Sequence, residues 1–204
     1  MKIYITNVSR FADLPGLELL DPVRRGKLGK YNISDDKLRC LAAGLLLRHA
    51  LGEGIKDISY TQSQKPYLPN ESYFNISHSG EYAVLAVSEH ELGVDIEKNG
   101  EYKEKLAQRC CTEEELIFLH GSKDKSLFYK MWTGKESIMK ATGEGFRMSP
   151  RSFSVLPLED GGHNIFGKRW YMRWLDLPGY SFCVACAENE DVELIFPDKE
   201  ELLA

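Results

Sequence analysis

Two stretches of this chain carry the apolar spacing of long helices, and each is followed by short runs that alternate like strands. Such an order obliges the chain to pack a helix on a small sheet twice over. The first helix opens at Ser34, a residue type that caps helix N-termini. Asp35 and Asp36 fill its first turn, Leu38, Leu41, Ala42, Leu45 and Leu46 share one face, and Gly52 closes it. Residues 2–6 form a first strand ahead of it, with an irregular polar stretch to residue 32 between them. Strands are expected at 58–61 and 73–76, and a stronger pair, 82–87 and 92–97, is joined by a tight polar turn. In the second half Thr112 and Glu115 have capping-box spacing before a short helix to His120, and a longer helix covers 125–142 and stops at Gly143. Strands follow at 153–156, 170–175, 180–187 and 192–196. The fold class predicted is α+β, with two similar subdomains, 1–98 and 99–204, joined by the charged stretch 98–105.

Composition narrows the functional classes. With 204 residues, 43% of them apolar, the chain can bury a substantial core. The apolar run at 45–47 is broken by Arg48 and His49, and no run approaches the roughly 20 residues of a membrane helix. The N-terminus lacks the apolar region and cleavage site of a secretion signal, so a cytoplasmic protein is expected. Five cysteines, an odd number with Cys110 and Cys111 adjacent, suit a reducing compartment better than a disulfide framework. Cys183 and Cys186 sit in a strand-like run on opposite faces, which argues for packing rather than metal or redox chemistry. The triplets at Asn32 and Asn75 would be glycosylated only in a secreted protein. A net charge of −5 argues against generic nucleic-acid binding. Residues 24–48 nevertheless gather Arg24, Arg25, Lys27, Lys30, Lys37, Arg39 and Arg48 against two acids, a patch suited to a small phosphorylated ligand.

Three segments hold residues that could do chemistry. In Gly93-Val94-Asp95-Ile96-Glu97, alternation projects Asp95 and Glu97 from one face of a strand. Paired carboxylates are ligands for a hard cation, and equally the polar face of a half-exposed strand. On the second long helix Trp132, Glu136 and Lys140 share a face at spacing four; a Glu followed four residues later by Lys is also the favoured solvated pair. Asn75-Ile76-Ser77-His78-Ser79-Gly80 ends a strand at a turn, from which a histidine and hydroxyls can reach a ligand. Upstream, Lys65-Pro66-Tyr67 belongs to a rigid proline-rich loop beginning at Gln64.

Taken in order, Lys65 to Tyr67, Phe74 to Gly80, Gly93 to Glu97 and Trp132-Thr133-Gly134-Lys135-Glu136-Ser137-Ile138-Met139-Lys140 match one pattern along nearly the whole chain. The sequence resembles the surfactin-synthetase-activating type of 4′-phosphopantetheinyl transferase. The resemblance implies pseudo-twofold-related halves enclosing a cleft for coenzyme A as co-substrate. It implies Asp95, Glu97 and Glu136 as ligands of a magnesium ion, with manganese as the alternative metal. It further implies catalytic roles for Glu136, Lys140 and His78: Glu136 takes the proton of a carrier serine, directly or through a metal-bound water, while Lys140 and His78 bind the pyrophosphate, Lys140 also serving the leaving 3′,5′-ADP. Arg24, Lys27 and Arg39 would meet the 3′-phosphate, with Lys65 and Ser77 near the nucleotide. The expected partner is an apo acyl or peptidyl carrier protein, modified as by a holo-[acyl-carrier-protein] synthase, for which Lys98, Lys103, Lys105 and Arg109 could offer a basic edge. A monomer is expected, since two fused halves complete the cleft. Gly134 departs from good helix formers at a cost of about 1 kcal/mol relative to Ala, and Glu144 in the loop 143–146 is an acid where related sequences often carry a base. A catalytically silent module of the same fold and a metal-dependent phosphohydrolase are the competing readings; the second does not explain the segment order.

Overall fold

The computed structural model describes residues 1–29, 34–61, 65–69 and 72–204. β1 (Lys2–Asn7) leads into 3-10 turns and then α1 (Pro22–Leu28), a helix within the stretch expected to be irregular. Its start follows from two residues. Asp21 accepts the Arg24 N–H at 2.9 Å, and Pro22 occupies the first turn, where its missing donor costs nothing. α2 (Ser34–Leu51) begins at the expected serine; the cap assigned to that side chain, together with Lys30, Asn32 and Gln64, lies outside the described residues. Cys40 to Ala43 and Leu45 to Leu47 are all buried, so α2 is enclosed on most sides rather than apolar along one face.

β2 (Ser59–Tyr60) and β3 (Pro66–Tyr67) form a small antiparallel ribbon, followed by β4 (Tyr73–Ser79), β5 (Tyr82–Ser88) and β6 (Leu92–Lys98). The second half holds α3 (Glu104–Cys110), α4 (Glu113–His120), α5 (Ser126–Thr142), β7 (Gly161–Ile165), β8 (Lys168–Trp174), β9 (Tyr180–Cys186), β10 (Glu193–Ile195) and α6 (Lys199–Leu203). The capping box at Thr112 and Glu115 is present, and Gly143 ends α5 in the left-handed region, φ 73°. No strand forms at 153–156. Phe153 and Val155 are buried there, but the Val155 N–H donates to the Glu115 carboxylate at 2.9 Å instead of joining a ladder.

The sheets run β10-β1-β5-β4 and β6-β9-β8-β7. The expected β5–β6 hairpin is therefore absent, because β5 has β1 on one edge and β4 on the other, leaving no edge for β6. Strand membership crosses residue 98: β6 pairs with β9, and β10 runs parallel to β1. Alternation explains the layering. Tyr4, Ala83 and Leu85 face α2, whereas Ile3, Ile5, Val84 and Ala86 meet Val94, Ile96, Phe182 and Val184 in a core shared by both sheets. Cys183 and Ala185 face α5, while Cys186 joins the shared core, so the two thiols do take opposite faces.

Two close contacts fix β6. Its free edge meets the inner face of β4, where Val94 N–H donates to Asn75 Oδ1 (3.0 Å), Ile96 N–H to Ser77 Oγ (3.4 Å) and Lys98 N–H to Ser79 Oγ (3.1 Å). Alternate side chains of one sheet thus satisfy the edge amides of the other. On its other side β6 touches the α5 backbone at Gly93, where an added Cβ would stand 2.0 Å from Ser137 O and 2.4 Å from Ala141 N. Gly134 on α5 plays the matching role toward β8, with space for a Cβ limited by Trp174, Met172 and Val155 at 3.1–3.4 Å.

Candidate active site

The carboxylates predicted to act together do converge, from two elements. β6 supplies Asp95 and Glu97, and α5 lays Glu136 and Lys140 across them. Lys140 Nζ donates to Asp95 Oδ1 at 2.6 Å, to Ser77 Oγ at 3.0 Å and to Val94 O at 3.2 Å. Asp95 is 3% exposed, and its Oδ2 is a buried oxygen with no hydrogen-bond partner among the described residues. Burial, reinforced by Asp95 and Glu97 and opposed by Lys140, pushes the Glu136 carboxyl up to about 7. Burial likewise raises the Glu97 carboxyl, against hydrogen bonds from Ser79 (2.7 Å) and the Trp132 indole.

His78 is solvent-accessible near the end of β4, yet the protein packed around its imidazole partly desolvates it, and this, together with the charges of Lys140, Arg39 and Arg24, lowers its pKa below the ordinary 6.5. Those three cations and His78 therefore share one positive field. Arg39 also donates to Asp36 Oδ1 (2.7 Å) and to Gly80 O (3.0 Å), bracing the turn that carries His78. Arg24 lies 3.6 Å from Asp21 at the start of α1. Lys27 stands apart from the carboxylates, 5.6 Å over the Tyr60 ring. Ser77 is buried between Lys140 and Asp95, donating to Asp95 Oδ1 at 2.8 Å. Lys65 has a partner that sequence reading did not foresee: its Nζ donates to Lys140 O (2.6 Å) and Ala141 O (2.9 Å), closing the C-terminal turn of α5. Burial there lowers its pKa.

The donor set suits a hard divalent cation, as it consists of carboxylates with one buried oxygen left without a partner. Among the described residues no group of three His, Cys, Asp or Glu side chains already stands in a metal-holding arrangement. Lys140 occupies Asp95 Oδ1, and the mutual repulsion of the acids is relieved by keeping Glu136 readily protonated.

The sequence model described as "4'-phosphopantetheinyl transferase superfamily" matches residues 91–186, and that described as "4'-phosphopantetheinyl transferase, N-terminal" matches 14–90. The 4'-phosphopantetheinyl transferase Sfp of Bacillus subtilis is 30% identical over 92% of this chain and 91% of its own length. The chain belongs to the 4′-phosphopantetheinyl transferase superfamily. A second Bacillus subtilis transferase, ffp, is 29% identical over 84% of this chain and 85% of its own length. The transferase gsp of Aneurinibacillus migulanus is 35% identical over 62% of this chain and 57% of its own length. The boundary between the two transferase segments, at 90 and 91, falls just before β6. It therefore assigns to the second segment the strand that pairs in the second sheet.

The roles of two residues in this candidate site were not evident from sequence. Gly93 sets the distance between β6 and α5, and its signal was a small residue in the second position of an otherwise bulky strand. Ser79 holds Glu97, and its signal was the period-two spacing Asn75, Ser77, Ser79.

Proposed function

We propose that this protein transfers the 4′-phosphopantetheine arm of coenzyme A to a serine hydroxyl of an apo acyl or peptidyl carrier protein, releasing 3′,5′-ADP, as a holo-[acyl-carrier-protein] synthase does. The observation that carries the reading is the meeting of Asp95 and Glu97 on β6 with Glu136 and Lys140 on α5, beside the positive field around His78. Attack of an alcohol on a diphosphate requires a base near neutrality, cations for developing phosphate charge and an aligned leaving group. Glu136, whose carboxyl is pushed up to about 7 in the metal-free protein by burial and the neighbouring acids, is the group assigned to accept the serine proton. Lys140 and His78 would hold the pyrophosphate oxygens, and Lys140 would stabilise the departing phosphate of 3′,5′-ADP.

Asp95, Glu97 and Glu136 would hold magnesium, or manganese in its place. A bound divalent ion supplies charge neutralisation at the pyrophosphate. Lys140 would then exchange Asp95 for substrate oxygens. Arg24, Lys27 and Arg39 are assigned to the 3′-phosphate, and Lys65 and Ser77 to the neighbourhood of the nucleotide. In this division of labour residues 1–98 contribute the nucleotide contacts and two metal ligands, and residues 99–204 the third ligand and the catalytic helix. Asp95, Glu97, Glu136 and Lys140 all come from one chain, which supports a monomer. All five cysteines are buried and unpaired, which supports a cytoplasmic setting, and no helix among the described residues is long and apolar enough to cross a membrane.

Intact mass of a purified apo carrier protein, incubated with this protein, coenzyme A and magnesium, tests the proposal. One added phosphopantetheine is expected, and none with Asp95→Ala. No gain across fatty-acid, polyketide and peptide carriers, while coenzyme A still binds, would overturn it.

A further inference from the structure

The hydroxyls of β4 have a geometry that goes beyond joining the sheets. Ser79 Oγ receives the Lys98 N–H at 3.1 Å and stands 2.7 Å from Glu97 Oε2. A hydroxyl has a single proton, and its oxygen is already accepting from the amide. The proton must therefore point to Glu97, which fixes that carboxylate as acceptor through Oε2. The indole of Trp132 also hydrogen-bonds Glu97 and so restrains the same group from the α5 side. Two residues earlier, Ser77 repeats the pattern: it receives the Ile96 N–H at 3.4 Å and donates to Asp95 Oδ1 at 2.8 Å. There the outcome is visible, since Oδ1 is occupied and Oδ2 is left buried and without a partner among the described residues.

The two pairs are related by the strand period. Ser77 and Ser79 lie on one face of β4, Asp95 and Glu97 on one face of β6, and each serine reads the carboxylate and the amide that follows it. We infer that Ser79 is a positioning residue for cation binding: by engaging Glu97 Oε2 and the Lys98 amide together, it holds the other Glu97 oxygen toward the same space as Asp95 Oδ2. Partners of this kind around ligating carboxylates typically change metal affinity by about 10–100-fold when lost. The inference rests on the proposed metal role of Asp95, Glu97 and Glu136.

Manganese titration followed by electron paramagnetic resonance, with coenzyme A present, reads binding directly and without turnover. Wild type, Ser79→Ala, Ser79→Thr and Asp95→Ala are compared at matched fold, checked by circular dichroism. Ser79→Ala is expected to weaken manganese binding by about 10-fold or more. Ser79→Thr, which keeps the hydroxyl, should restore it to within about threefold. Unchanged affinity in Ser79→Ala, with binding lost in Asp95→Ala, would overturn the role of Ser79 and leave the metal reading standing. Equal loss in Ser79→Ala and Ser79→Thr would also overturn it, because the hydroxyl would not be the cause. No manganese binding by wild type would remove the metal reading itself and this inference with it.

Discussion

Glu136 is the residue at which burial and charge act most strongly together, and its titration has a consequence for stability. Its carboxyl ordinarily titrates near 4.5 and is pushed up to about 7 in the folded, metal-free protein, chiefly by burial. The folded state then binds a proton that the unfolded state has released, so this group's contribution is fully present below 4.5 and is lost as pH rises through 7. At about 1.4 kcal/mol per unit, discounted for partial exposure, the loss is on the order of 1–3 kcal/mol. His78, shifted downward, acts in the opposite sense but only below 6.5. In chelator-treated protein, Glu136 should therefore lower the melting temperature progressively between about pH 4.5 and 7, and Glu136→Gln should flatten that slope. An unchanged slope in the variant would show that Glu136 is not its source. The identity of this residue was legible because its spacing from Lys140 places both on one helix face. Its elevated pKa was not, since that depends on Asp95 and Glu97 arriving from a strand some 40 residues away in sequence. A longer separation, 75 residues from Lys65 to Lys140, hid the use of Lys65 as a cap for α5.

Among the elements, α4 and α5 are locked together by a buried ion pair. Lys135 Nζ and Glu115 Oε2 stand 2.8 Å apart, both fully buried. Each is otherwise satisfied: Lys135 donates to Pro150 O at 2.8 Å and to Phe153 O, and Glu115 accepts from Val155 N at 2.9 Å and Thr112 N at 2.8 Å. Burial lowers the lysine pKa, with Glu115 opposing that shift. Removing one partner strands a buried charge, so Lys135→Met should cost about 3–5 kcal/mol in urea unfolding. Adding Glu115→Gln neutralises the stranded carboxylate while keeping an acceptor, and should recover part of the loss. A double variant no more stable than the single one would show that the cost lies in packing. The capping box at Thr112 and the stop at Gly143 were readable because caps are local chemistry. The missing strand at 153–156 was not, because its amide is claimed by Glu115 from a helix 40 positions earlier.

At the scale of the whole molecule, the two sheets exchange strands and share a core, and this governs how the protein unfolds. Long helices and alternating runs made an α+β fold readable from sequence. The parallel pairing of β10 with β1 links residues about 190 positions apart through three residues, and no local pattern announces it. β6, the last strand before residue 98, buries Val94 and Ile96 against Phe182 and Val184 while carrying Asp95 and Glu97 to α5. Neither half can retain its own sheet if the other unfolds, as each would lose a strand and one face of its core. All three tryptophans, Trp132, Trp170 and Trp174, lie in the second half, so their fluorescence reports that half alone. Hydrogen exchange in the buried part of α2, residues 40–47, reports the first. Both probes should give the same urea midpoint. An α2 transition separated from the fluorescence transition would mean that the halves unfold independently, and that Asp95 and Glu136 are brought together by docking rather than by a single cooperative fold.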